Sequence, residues 1–532
     1  MREATPVENG STAREQRVFA VFAIVAALFA VYAVRSADAD LWGHLRYGKH
    51  ILDNGGRAGA DPFAYTTAGR VWNDHEYVAQ MALWLAYDGA GPLGLILFKC
   101  VVGAATVYFL YQAVRLGSDD ARIWAPLWIL LAAGLGRWLL FRPQLFTFLL
   151  MAVFVLLLFR HLLDRPARLW LLPVLLPLWV NLHGGFLAGI GAVGLTLLLK
   201  SLQSFNRHGF RINQLLRDTL PLTLTLAACC AASLLNPLGW RLWPYLRTEL
   251  GFTDNRVYIQ EWQPIWQVWE LWPALVPFFI LLAVLVFVGV LTWRKGSRVA
   301  DLPAWVWVLS CVPLTVMAFQ SNRHIPIQLI WVAPVVGLLA QAGVRRVEVN
   351  NDPLLHPLWL GVTELAGVVA LMTIYAVLLD PRPRILLGPS AFGSTRPDRA
   401  VAFLKVNGLK GKVYTPLEWG SYLTWELYPN VLVSIDGRNV TLFAGDTVTK
   451  NFEFYTRQDP DWMTPSAATD YLLVSRDIPG LDALRADSRW SELYADKDAV
   501  LFVDRSKKRE LLAGRDRGEL KPPTEEIAEI FR

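Results

Sequence analysis

Charge is scarce in this 532-residue chain: Asp, Glu, Lys and Arg together make up 18% of it, against 54% hydrophobic residues. That balance excludes an ordinary soluble protein of this length and points to the membrane class. The net charge of +6 does not argue for a nucleic-acid partner. The basic residues are spread over short loops between apolar runs, as membrane topology requires. Cysteine is scarce too. Cys100, Cys229, Cys230 and Cys311 lie in apolar stretches without metal-ligand spacing, and the polar C-terminal region has none, so no disulfide staples it. His75-Glu76 lacks a His-x-x-x-His partner, which removes a zinc-protease helix. There is no internal repeat and no low-complexity segment.

What the chain does have is apolar runs. They fall at about 18–34, 91–114, 123–140, 143–160, 169–182, 184–199, 219–235, 271–292, 303–320, 325–343 and 357–379. Most approach the ~20 residues needed to cross a ~30 Å hydrocarbon core. The pair flanking Asn181-Leu182-His183-Gly184-Gly185 reads as a tight hairpin or as one broken helix. Charge favours the hairpin. With it, and with the N-terminus inside, most Lys and Arg fall on cytoplasmic segments, including 160–168 and the loop 200–217. The expectation is an all-α polytopic membrane domain of about eleven transmembrane helices, in a bacterial inner membrane, N-terminus inside and C-terminus outside. Ala37-Asp38-Ala39 fits a cleavage pattern, but Arg35 and the aspartate favour a retained first span.

The expected layout is a cytoplasmic tail at 1–17, a membrane domain at 18–379 with a large outer loop at 35–90, a soluble domain at 380–505 and a flexible tail at 506–532. In the soluble part, Val413-Tyr414, Val431–Ile435, Tyr471–Val474 and Val500–Val503 read as strands, and Arg399–Val406 and Leu481–Arg485 as helices. Alternating strands and helices predict a small extracytoplasmic α/β domain.

Placed on this topology, the polar residues converge on the outer face. The first outer loop carries Asp38, Asp40, His44, Asp61, His75 and Glu76. Later helix ends supply Arg137, Arg142, Gln144, Asn181, His183, Asn236, Glu261, Arg323 and His324. Carboxylates at a membrane surface can act as a general base or hold a metal. Arginines can bind a phosphate whose lipid tail stays in the bilayer. Together they suit a substrate with a lipid, a phosphate and a sugar. Blander readings stand beside these: Asp38 and Asp40 as loop aspartates, His44 as a structural histidine, the arginines as snorkelling anchors, and Asn181 with His183 as helix packing.

With these residues in place, the chain resembles the GT-C class of membrane glycosyltransferases. Asp38-Ala39-Asp40 after the first helix, and the loop from Gly56 to Glu76, match the class plan of a long outer loop with an essential acidic residue. Trp179–Phe186, Phe141–Gln144 and Arg323–Pro326 also look like uncharacterised bacterial membrane proteins placed near this class. Glu418-Trp419-Gly420, with Ser434–Arg438, resembles the segment that opens the oligosaccharyltransferase outer domain, without its double tryptophan. The resemblance implies transfer, with inversion, of a sugar from a polyprenyl-phosphate-linked donor to an outer acceptor that is a glycan, lipid or protein. Asp38 or Asp40 would be the base and Arg137, Arg142 and Arg323 phosphate ligands. His44, Asp61, His75, Glu76, Gln144, Asn181, His183, Asn236, Glu261, His324, Glu418 and Trp419 would contact substrate. It leaves room for a divalent cation, Mg or Mn, on Asp38, Asp40 and Glu76. Diphosphate-using members need such an ion, and monophosphate-using ones generally do not. The rival functions are a lipid-linked glycan polymerase or ligase, a transporter or flippase, and a non-catalytic scaffold.

Overall fold

The computed structural model describes residues 36–37, 39–57, 59–136, 138–251, 259–268, 271–350, 386–387, 396–438, 441–443, 445–456 and 467–523. The chain divides into two compact units. One takes Ile96–Gly239 and Glu261–Arg382; the other takes Arg35–Leu95, Trp240–Gln260 and Pro383–Arg532.

The first unit is helical. After the later part of α2 (Tyr77–Arg115) it holds α3 (Ala121–Gly136), α4 (Gln144–Leu162), α5 (Leu171–Leu182), α6 (Phe186–His208) and α7 (Ile212–Ala232), then, beyond α8 (Leu242–Gly251) of the other unit, α9 (Trp272–Arg294), α10 (Ala304–Gln320) and α11 (Ile325–Asn350). Among the described residues, six helical stretches are long and apolar enough to cross a membrane: α2, α4, α6, α7, Leu275–Arg294 and Asn322–Gly343. Three more apolar helices are shorter. The first and last expected spans, 18–34 and 357–379, lie outside the described residues. The other nine expected segments are helical there.

Within this unit α11 is the hub, packed by α3, α4, α9 and α10. In contrast, α7 shows Leu216, Leu220 and Leu224, four residues apart and more than half exposed, as an apolar stripe suited to lipid. The glycine pair does break the chain into α5 and α6, with His183 extended between them. The expected loop 200–217 is much shorter than read. Charged residues extend α6 to His208 and start α7 at Ile212, and Arg207 ties Asp164 to Asp301 at 2.5 Å each. Polar side chains do not end a helix; they only end its apolar stretch.

The second unit begins with α1 (Asp40–Asp53) and the loop that leads to α2. Near its middle α2 breaks, because Ala90 and Gly91 leave helical geometry and Pro92 follows. Gly91 has φ +58°, a conformation that favours glycine. The unit continues with α8 and the C-terminal domain: α12 (Asp398–Val406), β1 (Gly411–Tyr414), α13 (Leu417–Leu427), β2 (Val431–Val433), α14 (Gly445–Thr456), β3 (Tyr471–Ser475), α15 (Leu481–Ala486), β4 (Trp490–Ala495), β5 (Ala499–Asp504) and α16 (Arg509–Asp516). The sheet order is β2-β1-β3-β5-β4. The first three strands run parallel, Gly411 beside Val431 and Val413 beside Tyr471; β5 and β4 run antiparallel, Tyr471 opposite Val503.

A segment of the first loop covers the β2 edge. Tyr65 N–H donates to Val433 O at 3.0 Å and Val433 N–H to Phe63 O at 3.2 Å, so a strand edge that would otherwise be open is paired. On the same unit α1 packs along α13, with Trp42 edge-on to Tyr422. The stretch expected to be a loose tail from 506 carries α16 instead. Arg515 reaches back to Glu492 O at 2.6 Å, which anchors it to β4.

Candidate active site

Asp40 opens α1, and His44 follows one turn later, so the two project from one helical face. They line a cavity of ≈ 360 Å³ together with Asp74, His75, Glu76 and Gln80 from the loop and the start of α2, and Ser421, Gly437, Arg438 and Thr441 from the C-terminal domain. The turn after β2 comes close to Asp40. A Cβ on Gly437 would fall 2.2 Å from Asp40 Oδ1 and displace that carboxylate, and the Gly437 N–H donates to Ser421 Oγ at 3.1 Å.

Asp74 is a buried acid of the cavity. Its Oδ1 accepts the Glu76 N–H at 2.9 Å and Gln80 Nε2 at 3.4 Å, while Oδ2 is buried without a hydrogen-bond partner. Burial pushes its pKa up to about 7, against the opposing pull of the Glu76 N–H and the Arg438 charge. Such a carboxyl can give or take a proton near neutral pH. For His44, burial lowers the pKa to about 4, so the ring is neutral, and its Nδ1 is buried without a hydrogen-bond partner. His75 Nε2 lies 3.8 Å from Glu76 Oε1.

Arg438 reaches the cavity wall with its charge already engaged. It donates to Asp61 at 2.6 Å and to both oxygens of Asp436 at 2.9 and 2.7 Å, all three side chains being 0–2% exposed. Tyr47, Phe63 and Trp72 surround the guanidinium at 4.8, 5.2 and 4.9 Å. Burial works against this charge, yet the carboxylates hold its pKa above the ordinary arginine value. Asp61 also accepts from Phe63 N–H (3.0 Å), Ala64 N–H (3.3 Å) and Thr67 Oγ1 (2.5 Å). It ties the loop to Arg438 and is not among the residues lining the cavity.

A second polar cluster lies in the helical unit. Arg142 pairs with Glu261 at 2.6 Å, the side chains being 17% and 26% exposed. Ser321 Oγ donates to Glu261 O at 3.1 Å, Asn322 N–H donates to Gln263 O at 3.2 Å, and the Arg323 guanidinium stacks 4.2 Å over Trp262. The structure thus brings together Arg142, Glu261 and Arg323. Gln144 begins α4. His324 Nδ1 lies 3.3 Å from Met317 O.

Other expected site residues hold helix ends. Asn181 Nδ2 donates to Pro177 O and Leu235 O at 2.6 and 2.8 Å. His183 Nδ1 accepts the Gly185 N–H at 3.0 Å and lies 2.9 Å from Thr147 Oγ1. Asn236 caps its own turn, donating to Ser233 O at 2.6 Å and accepting from Leu238 N–H at 2.8 Å. Glu418 and Trp419 sit in the first turn of α13 and are not among the residues lining the Asp40 cavity. Asp38 and Arg137 lie outside the described residues. Among the described residues no group of three or more His, Cys, Asp or Glu side chains is arranged to hold a metal, so no step below runs through one.

Several cavity residues were not selected from sequence. Asp74 stands beside His75 and Glu76, and these polar neighbours were its signal. Arg438 ends the Ser434–Arg438 stretch, but nothing in the sequence joins that stretch to Asp40.

No protein-family model matches the chain, and no curated protein matches it. Among solved structures it is similar to ArnT from Cupriavidus metallidurans bound to undecaprenyl phosphate. The TM-score is 0.51 and the identity 16%, over 91% of this chain and 97% of that one. At that identity the likeness speaks of fold. The chain shares its overall fold with that structure over nearly its whole length.

Proposed function

We propose that the protein is a glycosyltransferase that moves a sugar from a polyprenyl-phosphate-linked donor to an acceptor on the outer side of a bacterial inner membrane. The observation that carries this reading is a single cavity that gathers Asp40, Asp74 and Glu76 in a chain whose fold is that of a lipid-phosphate-binding neighbour. What that neighbour binds is carried over here as our inference.

In this reading the acceptor hydroxyl oxygen attacks C1 of the sugar as the C1–O(phosphate) bond breaks, so the configuration inverts. The hydroxyl proton passes to the Asp40 carboxylate, and polyprenyl phosphate leaves with the bonding electron pair. Asp74, with one uncommitted oxygen, hydrogen-bonds the incoming acceptor. Neutral His44 adds an uncharged hydrogen-bonding group that does not compete with the carboxylates for the proton. Arg142 and Arg323 remain, as ligands for a phosphate on which charge develops, expectations of the family resemblance. Asp38, Arg137 and a divalent cation remain expectations of the same reading.

The test is to compare lipid-linked sugars by mass spectrometry in host strains that carry the protein, lack it, or carry Asp38→Asn with Asp40→Asn at equal abundance. Accumulation of one polyprenyl-linked sugar in the last two supports transfer, and the species names the sugar. Loss of the base should cut turnover by about 10² to 10⁴. Equal lipid pools in all three strains would falsify the transfer reading.

A further inference from the structure

The C-terminal domain contains a second cavity, of ≈ 390 Å³, that shares no residue with the Asp40 site. Pro416, Trp419, Tyr455, Ser475, Asp477 and Ile478 are in its lining. Its position follows from topology. The chain leaves central β1 for β2 on one side, then returns past β1 to β3 on the other. The connections diverge at the C-terminal ends of β1 and β3, and in open α/β sheets this divergence leaves a ligand crevice. Pro416 lies just beyond β1 and Ser475 ends β3, so the cavity occupies that crevice.

Its walls are held from behind. Asn451 of α14 accepts the Leu417 N–H at 3.1 Å and donates to Thr415 O at 3.0 Å, which fixes the turn from β1 into α13. Tyr455 donates its hydroxyl to Leu473 O at 3.0 Å, locking the ring against β3. Trp419 and Tyr455 are 3% and 4% exposed, so they form a rigid floor that shows only ring edges to the crevice. Asp477 is exposed at the rim, its N–H donated to Ser475 Oγ at 3.3 Å.

The chemistry selects a ligand class. Among the described residues the lining has no Lys, Arg or His, and Asp477 makes the crevice negative, so a phosphate or carboxylate ligand is disfavoured. The turn Tyr414-Thr415-Pro416-Leu417 has no glycine, so it offers no phosphate-cradling loop for a nucleotide. Rigid aromatic edges provide apolar contact, while a carboxylate and a hydroxyl accept hydrogen bonds from ring hydroxyls. We propose that this crevice is a binding site for an uncharged saccharide ring, separate from the Asp40 cavity and independent of the transfer reaction.

The experiment uses the full chain in lipid nanodiscs, free of glycoside detergents. Saturation-transfer NMR is recorded with the methyl glycosides of glucose, galactose, mannose and N-acetylglucosamine, and with tetramethylammonium as a cationic control. The expected result is binding of at least one glycoside, weakened about ten-fold or more by Asp477→Asn, since a hydrogen bond to a charged group is lost. Asp477 is exposed, so this variant keeps the fold. Asp40→Asn should leave the signal unchanged. The proposal is overturned if no glycoside binds, if only tetramethylammonium binds, or if Asp477→Asn has no effect. A signal lost in Asp40→Asn but kept in Asp477→Asn also overturns it, and would move the saccharide to the Asp40 cavity, leaving the transfer reading intact.

Discussion

Two arginines, one in each unit, are both ion-paired, and the difference between them separates structure from function. Arg438 is 2% exposed in its side chain and faces two carboxylates that are wholly buried, inside a ring of aromatic side chains. Arg142 is 17% exposed and is paired to Glu261, itself 26% exposed. A guanidinium has five donors in a fixed fork. At Arg438 three of its nitrogens are committed to Asp61 and Asp436, and moving it would strand buried charge. At Arg142 the ion pair is partly exposed, so exchange of its carboxylate for a phosphate costs less than it would at Arg438. Arg438 therefore assembles the loop, β2 and the cavity wall, and Arg142 is the better candidate to meet a substrate.

The largest effect that could break this comparison is on Arg438. Arg438→Met leaves Asp61 and Asp436 buried without their cation. Breaking a buried pair in this way costs about 3–5 kcal/mol, enough to lower the yield of folded protein and its thermal midpoint sharply. An unchanged midpoint would show that Arg438 does not hold the unit together. Arg142→Gln is the counterpart. Its stability should change by no more than about 1 kcal/mol, while turnover falls by about 10² to 10³ if Arg142 meets the developing phosphate charge. Equal loss of stability in the two variants erases the distinction.

The same contrast explains what the sequence made legible. The apolar runs were readable because the membrane sets one length for all of them. The strands around Val413, Val431, Leu472 and Leu501 were readable as short β-rich runs. β4 was not, because a bulge between Glu492 and Tyr494 breaks its alternation. Asp40, His44, His75 and Glu76 stood out as a polar run in an apolar chain, and they line one cavity. Arg438 reaches that cavity from 377 residues beyond Asp61, and no periodicity encodes a contact at that separation. The burial that perturbs Asp74 is likewise a property of the assembled unit, not of its neighbours in sequence.

That burial yields an effect that shows only as pH is varied. Asp74 has a folded pKa of about 7, raised by burial, so the folded state holds the proton that the unfolded chain releases near 4. Its contribution to stability is present at low pH and is lost as pH rises towards 7. His44 runs the other way: its folded pKa of about 4 lies below the ordinary value of 6.5, so stability is lost as pH falls from 6.5 to 4. In the intact protein the two slopes oppose each other, and the thermal midpoint should change little from them across this window. Asp74→Asn removes one slope. The variant should be more stable than the parent at pH 8, by on the order of a few kcal/mol at most, and should lose that advantage near pH 4. Its kcat/KM profile should also lose any limb near pH 7. A midpoint difference that stays constant from pH 4 to 8 would mean that Asp74 does not titrate there. Of the acids in the cavity, Asp40 and the half-buried Glu76 would then be left to move a proton, and the base could be sought in those two.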